Sequence, residues 1–202
     1  QQQWKLNLKA QSIAEIQALK ARIRPHFLFN SMNTIASLIS FMPDKAEKAI
    51  EDLADLFRAS LKEQNIHTLK DEIDITRSYL DIEKLRLGDR LHVDWNIDNS
   101  LFDAEIPALS LQPLAENAIY HGIEPLPDGG KIRISAQQEG DHLRLEVSNP
   151  LSGAAGMLHS SGNRMAQDNI KQRLRLAYGN DAGFKINATK QDYTVTLEIP
   201  VT

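Results

Sequence analysis

His26 stands directly after a proline in the stretch RIRPHFLFNSMN, residues 22–33. An interior proline lacks the amide hydrogen and crowds the carbonyl one turn back, at a cost of about 3 kcal/mol or more. Core packing gains nothing from this. Either the helix stops there or the disturbance serves the histidine. A second stretch, LQPLAENAIYHG at 111–122, places Glu116 and Asn117 on a helix, with Pro113 and His121 on the face of Asn117. An asparagine carbonyl oxygen is a hard, neutral ligand suited to Mg²⁺, which brings triphosphate oxygens with it. A carboxylate alongside can order a metal-bound water or accept a proton. Taken singly, the plainer readings are a surface histidine beside a kink and a polar patch on an amphipathic helix. Taken together, the second stretch supplies a site that needs an acceptor, and the first supplies the acceptor.

The elements that must position these residues follow from periodicity. From Gln2 to about Phe41, apolar residues recur at mostly three- and four-residue steps, which predicts a helix. On its wheel Arg22, His26, Asn30, Asn33 and Ser37 share a polar face, opposite Ile16, Ile23, Phe27, Leu28, Ile35 and Leu38. Leu19 and Phe29 break this division. His26 is expected to point outward, and Pro25 to bend the helix one residue before it and act as a hinge. A second helix follows in MPDKAEKAIEDLADLFRASL, with Asp44 as its cap and Ile50, Leu53, Phe57 and Leu61 as its stripe. NIHT interrupts, and a third helix runs to Gly88. Beyond Gly88 the period falls to two. LHVDWNID, KIRISAQ, HLRLEVSN, FKINATK and YTVTLEIP read as half-buried strands. Two helical stretches, LSLQPLAENAIYHG and MAQDNIKQRLRLAYG, lie among them and end at Gly122 and Gly179. The segment Pro150 to Asn163 reads as a long mobile loop beside a functional site.

This pattern predicts an α+β chain in two parts. Residues 1–88 form a helical region and residues 89–202 a two-layer α/β sandwich of mostly antiparallel strands. Amphipathic helices in isolation leave apolar stripes without partners, so the first part is expected to pair with a second copy as a four-helix bundle, giving a homodimer. The 202 residues carry 42% hydrophobic and 25% charged residues, ordinary for a globular chain with a core. A net charge of −4 argues against direct nucleic-acid binding. The lack of cysteine excludes disulfides, thiolate metal sites and cysteine catalysis. No apolar run approaches a membrane span, and the start QQQWKLNLKAQ, without methionine, reads as part of something longer. Any membrane attachment is expected upstream.

RPHFLFNSMNTI followed by LQPLAENAIYHG resembles the LytS-type sensor histidine kinases, whose hallmark is a PHFLFN box ahead of a GHKL (Bergerat-type) ATPase domain. LFRASL, YLDIEKLR, DNIKQRL and the ending TLEIP extend the resemblance along nearly the whole chain. It implies that His26 is the phosphoacceptor and that Asn117 holds Mg²⁺–ATP. It also implies transfer from His26 to an aspartate of a response regulator, with a LytTR DNA-binding domain expected on that regulator. The chain would then be the cytoplasmic portion of a bacterial inner-membrane protein. A neutral imidazole is a competent nucleophile near pH 7, and the transfer needs positioning and charge neutralisation more than covalent help. Many histidine kinases place an acid after the histidine, whereas here Phe27 follows His26. Glu116 is the expected polarising group in its stead, and Asn30, one turn on, is expected to orient the ring.

The chain departs from the family in both glycine-rich boxes. Where Asp-Asn-Gly-x-Gly is usual, it has VSNPLSG. Asn149 thus stands at the adenine-binding aspartate, Leu151 at the first glycine and Gly153 at the second. An amide oxygen still accepts a hydrogen bond, less strongly than a carboxylate. In GNRMAQDNI, Gly162 and Asn169 remain, while Arg164 and Ala166 replace glycines. Arg164 can pair with a phosphate directly or fill the phosphate space. These changes point to unusual ATP handling and leave a second reading, a non-catalytic dimeric scaffold that controls its regulator by binding or assisted dephosphorylation. A GHKL ATPase or serine kinase without a histidine acceptor leaves RPHFLFN without purpose. His67, His92, His142 and His159 are read as structural or surface residues. His121, one turn after Asn117, is expected to touch phosphate.

Overall fold

A computed structural model describes residues 25–61, 65–151 and 161–201, with the backbone alone at 61 and 161–165. The expected helix upstream of Pro25, its bend there and the stripe position Leu61 lie outside the described residues or side chains. Helix α1 (Pro25–Leu38) turns through 39–42 into α2 (Pro43–Leu61). Pro43 is the first residue of α2, where a missing amide hydrogen costs nothing. Asp44 therefore lies inside the first turn rather than capping it, where its charge still complements the helix dipole. The two helices meet at a small cluster of Ile35, Ala46 and Ala49, flanked by Leu38, Leu53 and Leu85. Ile50, expected in the stripe, is 52% exposed instead. Phe29, Met32, Ile39, Phe41 and Met42 are also exposed, so among the described residues this hairpin carries an uncovered apolar surface.

The segment read as an interruption is a short strand, β1 (Ile66–Thr68), leading directly into α3 (Leu69–Leu87). Thr68 and Asp71 form a reciprocal capping box at the start of α3. At its other end Gly88 adopts φ +59°, a conformation open to glycine. Strand β2 (Leu91–Ile97) follows, then β3 (Glu105–Pro107), which pairs antiparallel with β1 in a two-stranded sheet that periodicity did not reveal. Helix α4 (Gln112–Ala118) continues as a wider π turn, Ile119–Ile123, so the chain passes through Gly122 rather than ending there.

The remaining strands are β4 (Gly130–Glu139), β5 (His142–Pro150), β6 (Gly183–Ala188) and β7 (Asp192–Pro200), with α5 (Ser161–Tyr178) between β5 and β6. Helix α5 starts four residues earlier than its periodicity suggested, inside the expected loop, of which residues 152–160 lie outside the described residues. The main sheet has the order β2-β4-β5-β7-β6. All its neighbours are antiparallel except β2 and β4, which run parallel. The five strands expected after Gly88 are its five members. Alternate residues of β5 and β7, among them Leu143, Leu145, Val147, Leu197 and Ile199, face a core completed by Leu69, Ile73 and Ile82 of α3, Leu114 of α4 and Ile170 of α5. Helix α3 thus joins the sheet core along its length while its Leu85 meets the α1–α2 cluster.

Candidate functional site

The chain approaches α4 through a tightly held loop. Glu72 of α3 is fully buried, and its carboxylate accepts the backbone N–H groups of Leu109 (2.6 Å) and Leu111 (2.9 Å). Its Oε1 also pairs with His67 Nδ1 at 2.7 Å. From the other side Arg173 of α5 donates to the carbonyls of Ala108 (2.7 Å) and Leu109 (3.1 Å). Between them Leu109 is held at φ +57°, a left-handed conformation that a leucine adopts only when its surroundings impose it. Helix α4 has no side-chain cap of its own at Leu111. The Glu72 carboxylate takes over that role and orients the helix. His67 is therefore no connector residue but a buried member of this clamp, with 6% exposure.

Along α4, Asn117 is buried and Glu116 half-buried, with Glu116 Oε1 accepting from Gln112 Nε2 at 2.9 Å. The π turn that follows widens the backbone, a distortion common at functional sites, and sets His121 edge-on to the Tyr120 ring at 4.8 Å. At Gly122 the backbone meets Asn149 of β5, because a Cβ there would fall 2.3 Å from Asn149 Nδ2. The glycine is required by this approach rather than by a turn. Asn149 is 4% exposed and donates from Nδ2 to its neighbour's carbonyl at Pro150 (2.8 Å). Across the sheet it pairs with Tyr193, whose hydroxyl accepts from the buried Gln167 of α5 (2.6 Å). Gly122, the residue after His121, thus brings the backbone of the π turn against Asn149. Asn169 is exposed on α5. Gly162 and Arg164 have their backbone in the first turn of α5, and their side chains lie outside the description, as does Gly153 altogether. Leu151, at a position usually glycine, is half-buried and packs against the core.

His26 lies on α1. It is exposed, as its wheel position implied, but opens onto a cavity of about 180 Å³ where α1, α3 and α4 converge. The next residue, Phe27, packs against Tyr79 of α3 with ring centroids 4.9 Å apart and planes tilted by 43°, which fixes the start of α1 on α3. Asn30 Nδ2 sits beside the imidazole edge, 3.2 Å from Nδ1 and 3.3 Å from Nε2, within reach of whichever nitrogen carries the lone pair. Glu116 shares the cavity, so His26, Asn30 and Glu116 come together there. So do Glu83, Arg86 and Glu124, which sequence reasoning did not single out. Arg86 bridges Glu83 and Glu124 and ties α3 to the end of the π turn. Burial pushes the Glu83 carboxyl up, against the pull of the Arg86 guanidinium and of a charged His26. A signal for Glu72 and Glu83 did exist: with Thr76 and Tyr79 they recur at four, three and four residues, on the buried face of α3.

The donor chemistry fits a nucleotide carrying its own metal. No group of three or more His, Asp and Glu side chains is placed to hold a metal ion among the described residues. A divalent cation at Asn117 would therefore share that amide oxygen with phosphate oxygens rather than sit in a protein cage. Such an ion would supply charge neutralisation to a transferring phosphoryl group.

Residues 14–91 match the family model described as histidine kinase. The sensor histidine kinase BtsS of Escherichia coli strain K12 is 38% identical over 189 residues, covering 93% of this chain and 33% of its own. Sensor protein LytS of Staphylococcus haemolyticus is 33% identical over 199 residues, covering 93% of this chain and 34% of its own. The chain thus spans about a third of the length of the curated relatives it matches. Among solved structures, the catalytic domain of the histidine kinase ThkA superposes with a TM-score of 0.50 at 17% identity, over 70% of this chain and 99% of that one. That likeness concerns the fold.

Proposed function

The chain belongs to the histidine kinase family, among relatives of the LytS type, and from that premise we propose that it is the transmitter portion of a sensor kinase that phosphorylates itself on His26. The observation that carries the proposal is the single helix–turn Gln112–Ile123. It carries Asn117, His121 and Gly122, whose backbone meets Asn149, and its Glu116 lines the cavity of His26. Residues 89–202 bind Mg²⁺–ATP through Asn117, His121 and Asn149, with Gly153, Gly162, Arg164 and Asn169 contributing from the loop and α5. Asn30 orients the imidazole and Glu116 polarises the site. The phosphoryl group then passes to an aspartate of a response regulator of the LytTR type.

Residues 1–88 carry the acceptor and the dimer contact, with α3 packed on both parts. The exposed Phe29, Met32, Ile39 and Ile50 support pairing of two copies into a four-helix bundle, since apolar surface of this extent is otherwise left to water. Pro25 serves as the hinge through which upstream segments act on His26. Among the described residues no helix is long and apolar enough to cross a membrane. Leu151, packed on the core where glycine is usual, favours a second reading in which nucleotide binding is lost and the dimer acts as a scaffold. Incubation with γ-labelled ATP and Mg²⁺ separates the two. Acid-labile, base-stable label that disappears in His26→Gln supports the kinase. Absence of label together with no calorimetric binding of a non-hydrolysable ATP analogue supports the scaffold.

A further inference from the structure

His26 lacks the acid that many histidine kinases carry next in the chain, yet its cavity holds three carboxylates. Glu124 is engaged by Arg86, and Glu116 Oε1 by Gln112. Glu83 differs from both. It is 3% exposed, and Arg86 bonds it through Nε (2.8 Å) and Nη2 to the same oxygen, Oε2. Oε1 accepts no hydrogen bond among the described residues, and Glu83 lines the cavity onto which His26 opens. The carboxylate is thus held in orientation by one oxygen and open on the other. The tilted Phe27–Tyr79 contact holds the backbone of His26 against the same helix, one turn before Glu83. We propose that Glu83 is the proton acceptor for His26 during autophosphorylation, standing in space where other kinases place an acid in sequence. The proposal rests on the kinase reading and replaces Glu116 in the acid's role.

The step balances as follows. The lone pair of one ring nitrogen of neutral His26 forms the N–P bond to the γ-phosphorus of ATP. The bond from that phosphorus to the β–γ bridging oxygen breaks, and its electron pair leaves with ADP. The proton on the other ring nitrogen passes to Glu83, leaving a phosphohistidine with an uncharged ring and an anionic phosphoryl group, and water then takes the proton from Glu83. Burial raises the Glu83 carboxyl above the ordinary carboxylate value, which suits it to accept a proton better than an exposed glutamate. The titratable and charged groups that face Glu83 are His26 from α1, Tyr79 and Arg86 from its own helix, and Glu116, Tyr120 and Glu124 from α4 and its π turn.

The test compares wild type, Glu83→Gln and Glu83→Asp by rate of label incorporation between about pH 5.5 and 9. Thermal melting and calorimetry with a non-hydrolysable ATP analogue accompany it. Glutamine keeps the shape and the acceptor for Arg86 but takes no proton. The expected result is a slowing of about 10²- to 10⁴-fold in Glu83→Gln at pH 7, narrowing as pH rises, with analogue affinity unchanged and part of the rate regained in Glu83→Asp. Wild-type rate and pH profile in Glu83→Gln would overturn the proposal and leave the kinase reading standing. Equal loss in both variants with loss of the analogue or of the fold would assign Glu83 a structural role and overturn it too. A wild type that takes no label and binds no analogue refutes the kinase reading, and this proposal with it.

Discussion

Replacing Gly122 by alanine tests how the site is built. A Cβ at this position falls 2.3 Å from Asn149 Nδ2, 2.7 Å from its Cγ and 2.8 Å from its Cβ. Ordinary contact begins near 3.4 Å, so the amide must retreat by about 1 Å or the π turn must move. Asn149 has little room, being 4% exposed and bonded to the Pro150 carbonyl at 2.8 Å. Overpacking of this kind costs about 1–3 kcal/mol, and the displaced hydrogen bond adds about 1 kcal/mol. Gly122→Ala is therefore expected to lose about 2–4 kcal/mol of stability, a fall in Tm of roughly 4–16 °C for a chain of this size. Because the displaced side chain is the one expected at the adenine, affinity for an ATP analogue falls as well. The decisive assay is a double-mutant cycle with Asn149→Ala, read by thermal melting and calorimetry. Truncating Asn149 removes the Nδ2 and Cγ clashes and leaves only its Cβ at 2.8 Å, so the double variant is expected to regain part of the stability that Gly122→Ala alone loses. If Gly122→Ala melts like wild type, or Asn149→Ala brings no relief, then the contact between the π turn and β5 is not what constrains this glycine.

Two further predictions follow from the clamp and the sheet edge. Glu72→Gln keeps the volume but turns an NH₂ group toward a site where the carboxylate accepts from Leu109, Leu111 and His67. With buried donors left unmatched, a loss of about 2–5 kcal/mol and weaker analogue binding are expected in melting and calorimetry, and a wild-type melt would refute the clamp. His142 has its ring nitrogens against the Asp181 carbonyl (2.9 Å) and the Asp141 carboxylate (2.6 Å), which only an imidazolium can satisfy together. First the backbone carbonyl and then Asp141 hold its pKa above the ordinary 6.5. A folded pKa above the unfolded one means that the stabilisation is complete below 6.5 and disappears as pH rises through the folded value. The melting difference between wild type and His142→Gln is therefore expected in mild acid and absent in mild alkali, and an NMR midpoint at or below 6.5 would contradict it.

What could be read from the residues in order was whatever depends on near neighbours. Period-two alternation in HLRLEVSN and YTVTLEIP identified β5 and β7, because a pleated strand sends successive side chains to opposite faces whatever lies beyond it. The wheel placed His26 and Asn30 together for the same reason, and their contact across one turn is local. The pairing of β1 with β3, the parallel alignment of β2 with β4 and the approach of Asn149 to Gly122 join residues far apart in the chain, where no period records the partner. The acids show the difference most clearly. Glu72, Glu83 and Glu124 have the same side chain, yet one is fully buried as a clamp, one is buried against Arg86, and one stays half-exposed. Burying a carboxylate is tolerated only where donors from distant segments converge on it. The long helices, the five strands of the main sheet and the two motifs were thus written in residue order, because helix and strand periods are properties of the local backbone. Which carboxylates line the cavity of His26 was not, because that depends on how α1, α3 and the π turn pack together.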